Sequence, residues 1–352
     1  MKIFTLLTVL LIGMNLTARS QGCVAIRNVG GLSPDLLFEN LRPEDKWIFN
    51  ITNRYFEASE SYKEDKFFSD TLVKNKIFTM NISVLRLFKN GWSLSLSIPV
   101  AANSRWNGAD HNGPLSYPKY TTRAFGLGDL RLTVYKWLLD PASHKKGNIQ
   151  VALGLKLPTG DFKYQDYFHR KTSTGADSTV IAPVDQAIQL GDGGTGFIAE
   201  VNAFYSIGQR VNLYGQFFYL INPRDQNGTS NLKARNPTPA QLSNQTTVMS
   251  VPDQYSFRGG ANFQLKKIVL NAGIRYENVP SDDLIGGNIG FRRVASITSF
   301  ETGITYKMKN TLAFVSAGIP FNRKIVLNAQ NDMTPAAFAD VVWLLGVQFK
   351  LK

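Results

Sequence analysis

Three histidines, His111, His144 and His169, are the only imidazoles in 352 residues. None stands three or four positions from another histidine or from the single cysteine, Cys23, so the spacing of a zinc site is missing. His111 follows Asp110 and His169 lies near Asp166, the imidazole and carboxylate pairing that a hydrolase uses for general-base work. Gly126-Leu127-Gly128-Asp129-Leu130 has alternate glycines but opens a strand, without the helix that a phosphate cradle needs. Gly191-Asp192-Gly193-Gly194-Thr195-Gly196 lacks both the helix N-terminus of a phosphate site and the acidic ligands of a calcium site. It reads as a flexible loop returning to a strand. No catalytic set, cofactor or metal is expected. What remains is a group of charges on one face of alternating segments: Asp129, Arg131, Lys156, Glu200, Arg258, Arg275, Glu277 and Glu301.

The elements that carry these charges alternate in character at every residue, as a strand with one face in lipid and one in water must. Trp92, Leu94, Leu96, Ile98 and Val100 oppose Ser93, Ser95 and Ser97. Ile149, Val151, Leu153, Leu155 and Leu157 oppose Gln150, Ala152, Gly154 and Lys156. Similar runs lie at 197–207, 255–265, 268–277 and 341–351, and weaker ones at 46–57, 74–87, 127–138, 210–221, 296–308 and 311–322, the last readable in either phase. Lys136 breaks parity on a lipid face and is expected to snorkel to the interface. Long connections, among them 159–195 and 222–253, alternate with tight ones such as Lys89-Asn90-Gly91 and Lys266-Lys267. Trp47, Trp92, Tyr205 and Tyr306 form one aromatic belt, and Tyr55, Tyr219, Tyr255, Tyr276 and Trp343 a second. The predicted fold is all-β, a transmembrane antiparallel up-and-down β-barrel of about twelve strands, with short periplasmic turns and long extracellular loops. On this parity the eight charges line the lumen, as solute contacts or as structural ion pairs, four basic and four acidic.

Residues 1–20 read as a signal peptide: Lys2, an apolar run from Ile3 to Leu16, then Ala18-Arg19-Ser20, with cleavage before Gln21. Residues 21–45 then form a periplasmic or plug segment and 46–352 the barrel. One cysteine excludes an intrachain disulfide. Losing Lys2 and Arg19 takes the formal charge from +13 to +11. Such basicity often signals nucleic acid, but export excludes that partner. With a balanced lumen, the excess is expected on loops and rims, against outer-membrane lipid and lipopolysaccharide, and a pore is expected to discriminate weakly between anions and cations.

Gly126 to Leu130, followed by Leu153-Gly154-Leu155-Lys156-Leu157-Pro158-Thr159-Gly160-Asp161, resembles the signature of the outer-membrane family named for the MetA pathway of phenol degradation. Gln186 to Gly196, Val279 to Gly287, Gly290 to Arg293 and Cys23 to Arg27 fit the same resemblance. It implies a bacterial outer-membrane transporter similar in architecture to fatty-acid and aromatic-hydrocarbon channels. The expected role is passive passage of small, hydrophobic or aromatic molecules. The alternative is a structural or surface-adhesion barrel whose 159–195 and 222–253 loops bind a partner, and an outer-membrane hydrolase using His111 and His169 stands third. Leu153→Arg is expected to cost roughly 2 to 4 kcal/mol at the bilayer midplane, and Lys156→Gln much less.

Overall fold

The computed structural model describes residues 21–22, 26, 33–37, 45–59, 61–69, 73–107, 110–111, 120–172, 174–326 and 336–352. The expected signal peptide and Cys23 lie outside the described residues. Twelve antiparallel strands close into a barrel. They are β1 (Trp47–Ala58), β2 (Val73–Leu87), β3 (Trp92–Asn107), β4 (Tyr120–Leu127, resumed as Leu130–Trp137), β5 (Gly147–Leu157), β6 (Gly196–Ile207), β7 (Val211–Ile221), β8 (Gln254–Leu265), β9 (Ile268–Val279), β10 (Ala295–Lys307), β11 (Thr311–Ile325) and β12 (Val342–Leu351). Neighbours in sequence pair along the chain, and β12 closes on β1 through the Trp47↔Leu351 to Tyr55↔Trp343 register.

Alternation decides the faces. Along β5, Asn148, Gln150, Ala152 and Lys156 are buried, whereas Ile149, Leu153, Leu155 and Leu157 are exposed, Leu153 by 73%. In water such a surface would be a liability. In a hydrocarbon layer it is the required exterior, and closure of β12 on β1 pairs the first and last strands internally. Leu153→Arg places a cation on this face and is expected to destabilise by roughly 2 to 4 kcal/mol in lipid-vesicle unfolding; an unchanged midpoint would show that Leu153 does not face lipid.

Three expectations are sharpened. Lys136 reaches the rim, its Nζ donating to the Asn90 carbonyl and lying 5.2 Å from the Trp92 ring. The ambiguous phase of 311–322 resolves with Phe314 and Ser316 inward, and the strand carries a bulge above them: Thr298 pairs with Asn322 but Ser299 with Pro320, leaving Phe321 as the extra, exposed residue. The hairpin between β3 and β4 is taller than the pattern suggests, because β3 runs to Asn107 and β4 starts at Tyr120. Its inward residues Asn103, Arg105 and Asn107 are buried under folded loops, so polarity there does not mark solvent.

Part of the basic excess is visible on the rims. Lys46, Lys89, Lys145, Lys146, Arg210, Lys266, Lys267, Lys309 and Lys352 are exposed at the end with the short turns, with Asp140 as an acidic neighbour. In outer-membrane barrels the short turns are periplasmic.

Candidate functional site: a two-chambered lumen

The motif-bearing segments converge on one carboxylate. Asp129 sits where β4 breaks, at Gly128-Asp129. Its Oδ1 accepts the Gly160 N–H at 3.0 Å and its Oδ2 the Asp192 N–H at 3.1 Å. Thr159 Oγ1 accepts the Leu130 N–H at 2.9 Å and donates to the Gly128 carbonyl at 3.0 Å. A Cβ on Gly191 would lie 2.5 Å from Asp129 Oδ1 and 2.6 Å from the Gly160 carbonyl oxygen, so only glycine admits this approach. Lys156 pairs with Asp192, both buried. The glycine-rich 191–196 stretch is thus an anchored inward fold, not the flexible loop read from its composition.

The break splits the wall. The lower half of β4 bridges β3 and β5, through Leu96↔Leu132 and Leu132↔Leu155. The upper half pairs with β3 alone, and β5 ends at Leu157. Phe125 and Leu127 are exposed on the outer surface of this half-strand. Beyond it stands an outer hairpin, Gln165–Lys171 paired with Asp177–Pro183, whose Asp166 accepts the Arg123 N–H at 2.7 Å.

Two cavities occupy the lumen. The periplasmic one, about 190 Å³, is lined by polar side chains including Asn50, Thr52, Ser95, Thr133, Asn202, Gln216, Arg258 and Arg275. The outer one, about 150 Å³, mixes Arg54, Lys156, Gln189 and Gln254 with Phe56, Ile77, Pro99, Leu190, Leu220 and Val279. Arg131 lines both.

Every predicted lumen residue faces or backs these cavities, Asp129 lining the outer one at the wall break. Glu200 lines the lower one and accepts from Tyr135 Oη at 3.3 Å. Arg258 donates to Glu301, Arg275 meets Glu277 at 2.8 Å and Glu301 at 3.7 Å, and Arg54 lies 3.8 Å from Glu277. Ion pairing, with Lys156 on Asp192 included, therefore accounts for five of the eight charges. Arg54 is the residue the sequence reading passed over, although strand parity already places it inward opposite Tyr55. Within the chain Arg258, Glu301, Arg275, Glu277, Arg54 it makes three cations to two anions, although Asp192, also missed, keeps the lumen as a whole balanced. Asp192 was legible only as loop composition. Lys156 is 1% exposed against it, which removes the ground for expecting Lys156→Gln to be mild.

Loops roof the outer cavity. Val184, Ile188 and Leu190 pack on Ala101 and Ala124, and Asn103 Nδ2 donates to the Ile188 carbonyl at 3.2 Å. Above them Asp185 meets Arg293 at 3.0 Å, Lys233 at 3.2 Å and Arg105 at 3.7 Å, while Asp110 meets Arg105 at 2.6 Å and Lys233 at 3.2 Å. Burial pushes the Asp185 carboxyl up, but Arg105, Arg293 and Lys233 overcome it and hold the group well below the usual carboxylate range. His111 does come close to His169, accepting its N–H at Nδ1 over 3.0 Å, and His169 stacks on Tyr120 at 3.6 Å. Burial lowers the His111 imidazole to about 4. Asp110, the carboxylate a hydrolase would need, is committed to cations, so this is a welded roof.

The N-terminal segment also touches the lumen. Ile26 is buried with Ile198, Phe218, Leu220 and Ile297, and its carbonyl accepts Arg54 Nη1 at 2.7 Å. Ser33 Oγ accepts Asn262 Nδ2 at 2.7 Å, and the Leu37 carbonyl accepts Gln348 Nε2 at 3.0 Å. At the outer end, Gln21–Gly22 pairs with Ala339 and Phe338, in a small sheet with Ser61–Lys63 and Lys66–Ser69.

No protein-family model matches the chain, and no curated protein matches it. Among solved structures, an outer-membrane channel from Pseudomonas putida F1 is similar with a TM-score of 0.60 at 11% identity, over 88% of this chain and 97% of that one. The translocator domain of the autotransporter NalP from Neisseria meningitidis matches at 0.48 and 9% identity over 90% and 91%, and the CymD monoaromatic hydrocarbon channel at 0.46 and 9% over 95% and 98%. The last two resemblances carry no argument here. The fold is thus a closed twelve-stranded antiparallel β-barrel similar to that of the P. putida protein, and with its apolar outer face it places the chain in the bacterial outer membrane.

Proposed function

We propose that this protein is a narrow outer-membrane channel for small hydrophobic or aromatic molecules, of the kind implied by the resemblance to the MetA-pathway family. The observation that carries the reading is the outer cavity, which abuts the split wall at Pro99, Gly128 and Asp129. A cavity of about 150 Å³ lined by apolar groups is known to hold benzene, so this chamber, of about 150 Å³, suits a single ring. The β5-side edge of the upper half of β4, which pairs with β3 alone, gives an apolar solute a route between chamber and bilayer, while the polar lower cavity leads toward the periplasm. The convergence of the 126–130, 153–161 and 186–196 stretches on Asp129 supports the family resemblance, since each motif then has a task at the wall break. The P. putida channel supports the fold beneath the reading.

Residues 21–45 are read as a plug segment, on the lumen contacts of the described residues Ile26, Ser33 and Leu37. Inner-leaflet headgroups are the proposed partners of the periplasmic lysines, and lipopolysaccharide those of the outer loops. A structural barrel has no observation of its own.

The test uses cells with an intact lipopolysaccharide layer, which slows apolar solutes as phospholipid vesicles do not. Cells producing the protein should accumulate radiolabelled toluene faster than cells lacking it. Equal rates, with the barrel verified by its heat-dependent gel mobility, would reject the apolar-solute reading.

A further inference from the structure

Arg54 carries a feature that no structural role uses. Its side chain is 4% exposed in the wall of the outer chamber, and Nη1 donates to the Ile26 carbonyl. Nε and Nη2 are buried without a hydrogen-bond partner among the described residues, and the nearest carboxylate oxygen to Nη2, on Glu277, stands 3.8 Å away and is engaged by Arg275 at 2.8 Å. These two atoms form one edge of the guanidinium, the fork whose spacing matches the two oxygens of a carboxylate. Leaving a buried cation short of an anion is costly unless something supplies one.

The acidic side chains on this chamber do not answer the need. Asp129 is held by the Gly160 and Asp192 N–H groups, and Asp192 by Lys156. The Phe56 ring lies 5.1 Å from the Arg54 guanidinium, Ile77, Leu220 and Val279 add apolar lining to the chamber, and the volume of about 150 Å³ admits one ring.

We propose that the outer chamber is a binding site for a monocyclic carboxylate, with the carboxylate on the Arg54 Nε/Nη2 fork and the ring against the apolar lining. A rotation of the guanidinium turns the fork from the wall into the chamber. This deepens the channel reading and rests on it for its physiological meaning: among single-ring solutes, the anionic ones are those retained. It also replaces the weak anion and cation discrimination expected from a balanced lumen with a preference for anions.

Calorimetry on the full-length mature protein in detergent micelles, with benzoate and benzyl alcohol as probes, tests the site. The alcohol matches the ring and lacks the charge. Benzoate should bind at least about tenfold more tightly, the consequence of a charge-assisted bidentate contact in a desolvated site. Arg54→Gln should abolish that preference, and Arg54→Lys, which keeps charge without the fork, should retain part of it. Lys309→Gln, on an exposed periplasmic turn, should leave it unchanged. Equal binding of the two probes by the wild-type chain would overturn the proposal, and that comparison stands even if Arg54→Gln fails to fold. A preference that survives in folded Arg54→Gln would overturn it as well. Solute flux reports separately: benzoate binding without flux supports this site and sinks the channel, whereas flux without benzoate preference keeps the channel and sinks the site.

Discussion

Asp129→Ala should lower barrel stability by roughly 2 to 6 kcal/mol, since it strips the acceptor from two buried N–H groups at about 1 to 3 kcal/mol each. Both donors, Gly160 and Asp192, are buried where no other element can replace the carboxylate. The damage should spread. Gly160 and Gly191 are in backbone contact beneath Asp129, so losing the clamp frees the 158–195 connection at the point where it enters the lumen. Asp129→Asn, which keeps one acceptor, should fall between the variant and the wild type. Urea unfolding in lipid vesicles measures the loss, and limited proteolysis at 158–195 measures its location. A loss below about 1 kcal/mol with unchanged proteolysis would mean that Asp129 does not fasten the wall break.

Lys156→Met should cost about 3 to 5 kcal/mol, because it strands the Asp192 carboxylate in a buried site. The double change Lys156→Met with Asp192→Asn should recover most of that, since neither charge then remains and the amide oxygen can still accept the Gly194 N–H, which reaches Asp192 Oδ1 at 2.9 Å. Double-mutant analysis separates the pair from each residue's own contribution. If single and double variants lose equally, the pair is not the reason Lys156 is buried.

These two cases also mark how far the sequence reaches. Parity alone sends Lys156 inward and Leu153 outward, and the structure agrees on both, because period-two alternation is a property of one strand read by itself. What faces Lys156 is a matter of a loop 36 residues away folding back through the lumen, and nothing in the local pattern of Gly191 to Gly196 announces it. Its glycines look like solvent-loving punctuation, yet they serve backbone contact. The strand count was legible for the same reason as parity. The tops of β3 and β4 were not, since Arg105 and Asn107 are buried by loop charges and so carry no apolar stripe. Asp129 stood out as a motif residue, but its service to two other motif stretches appears only when the wall break is folded. Arg54 was legible and passed over: it sits in a weaker run, and its importance comes from counting charges in a chain of contacts that spans β1, β8, β9 and β10.

The central claim is that the two chambers form a passage for small solutes. Osmotic swelling of phospholipid vesicles containing the mature protein, with solutes graded from glycine to a disaccharide, addresses it directly, because these solutes do not cross the bilayer unaided. Swelling with the smallest solutes, falling steeply to none at the disaccharide, and faster when residues 21–45 are deleted, is the predicted result. No swelling above empty vesicles with any solute, in correctly folded protein both with and without that segment, would contradict it.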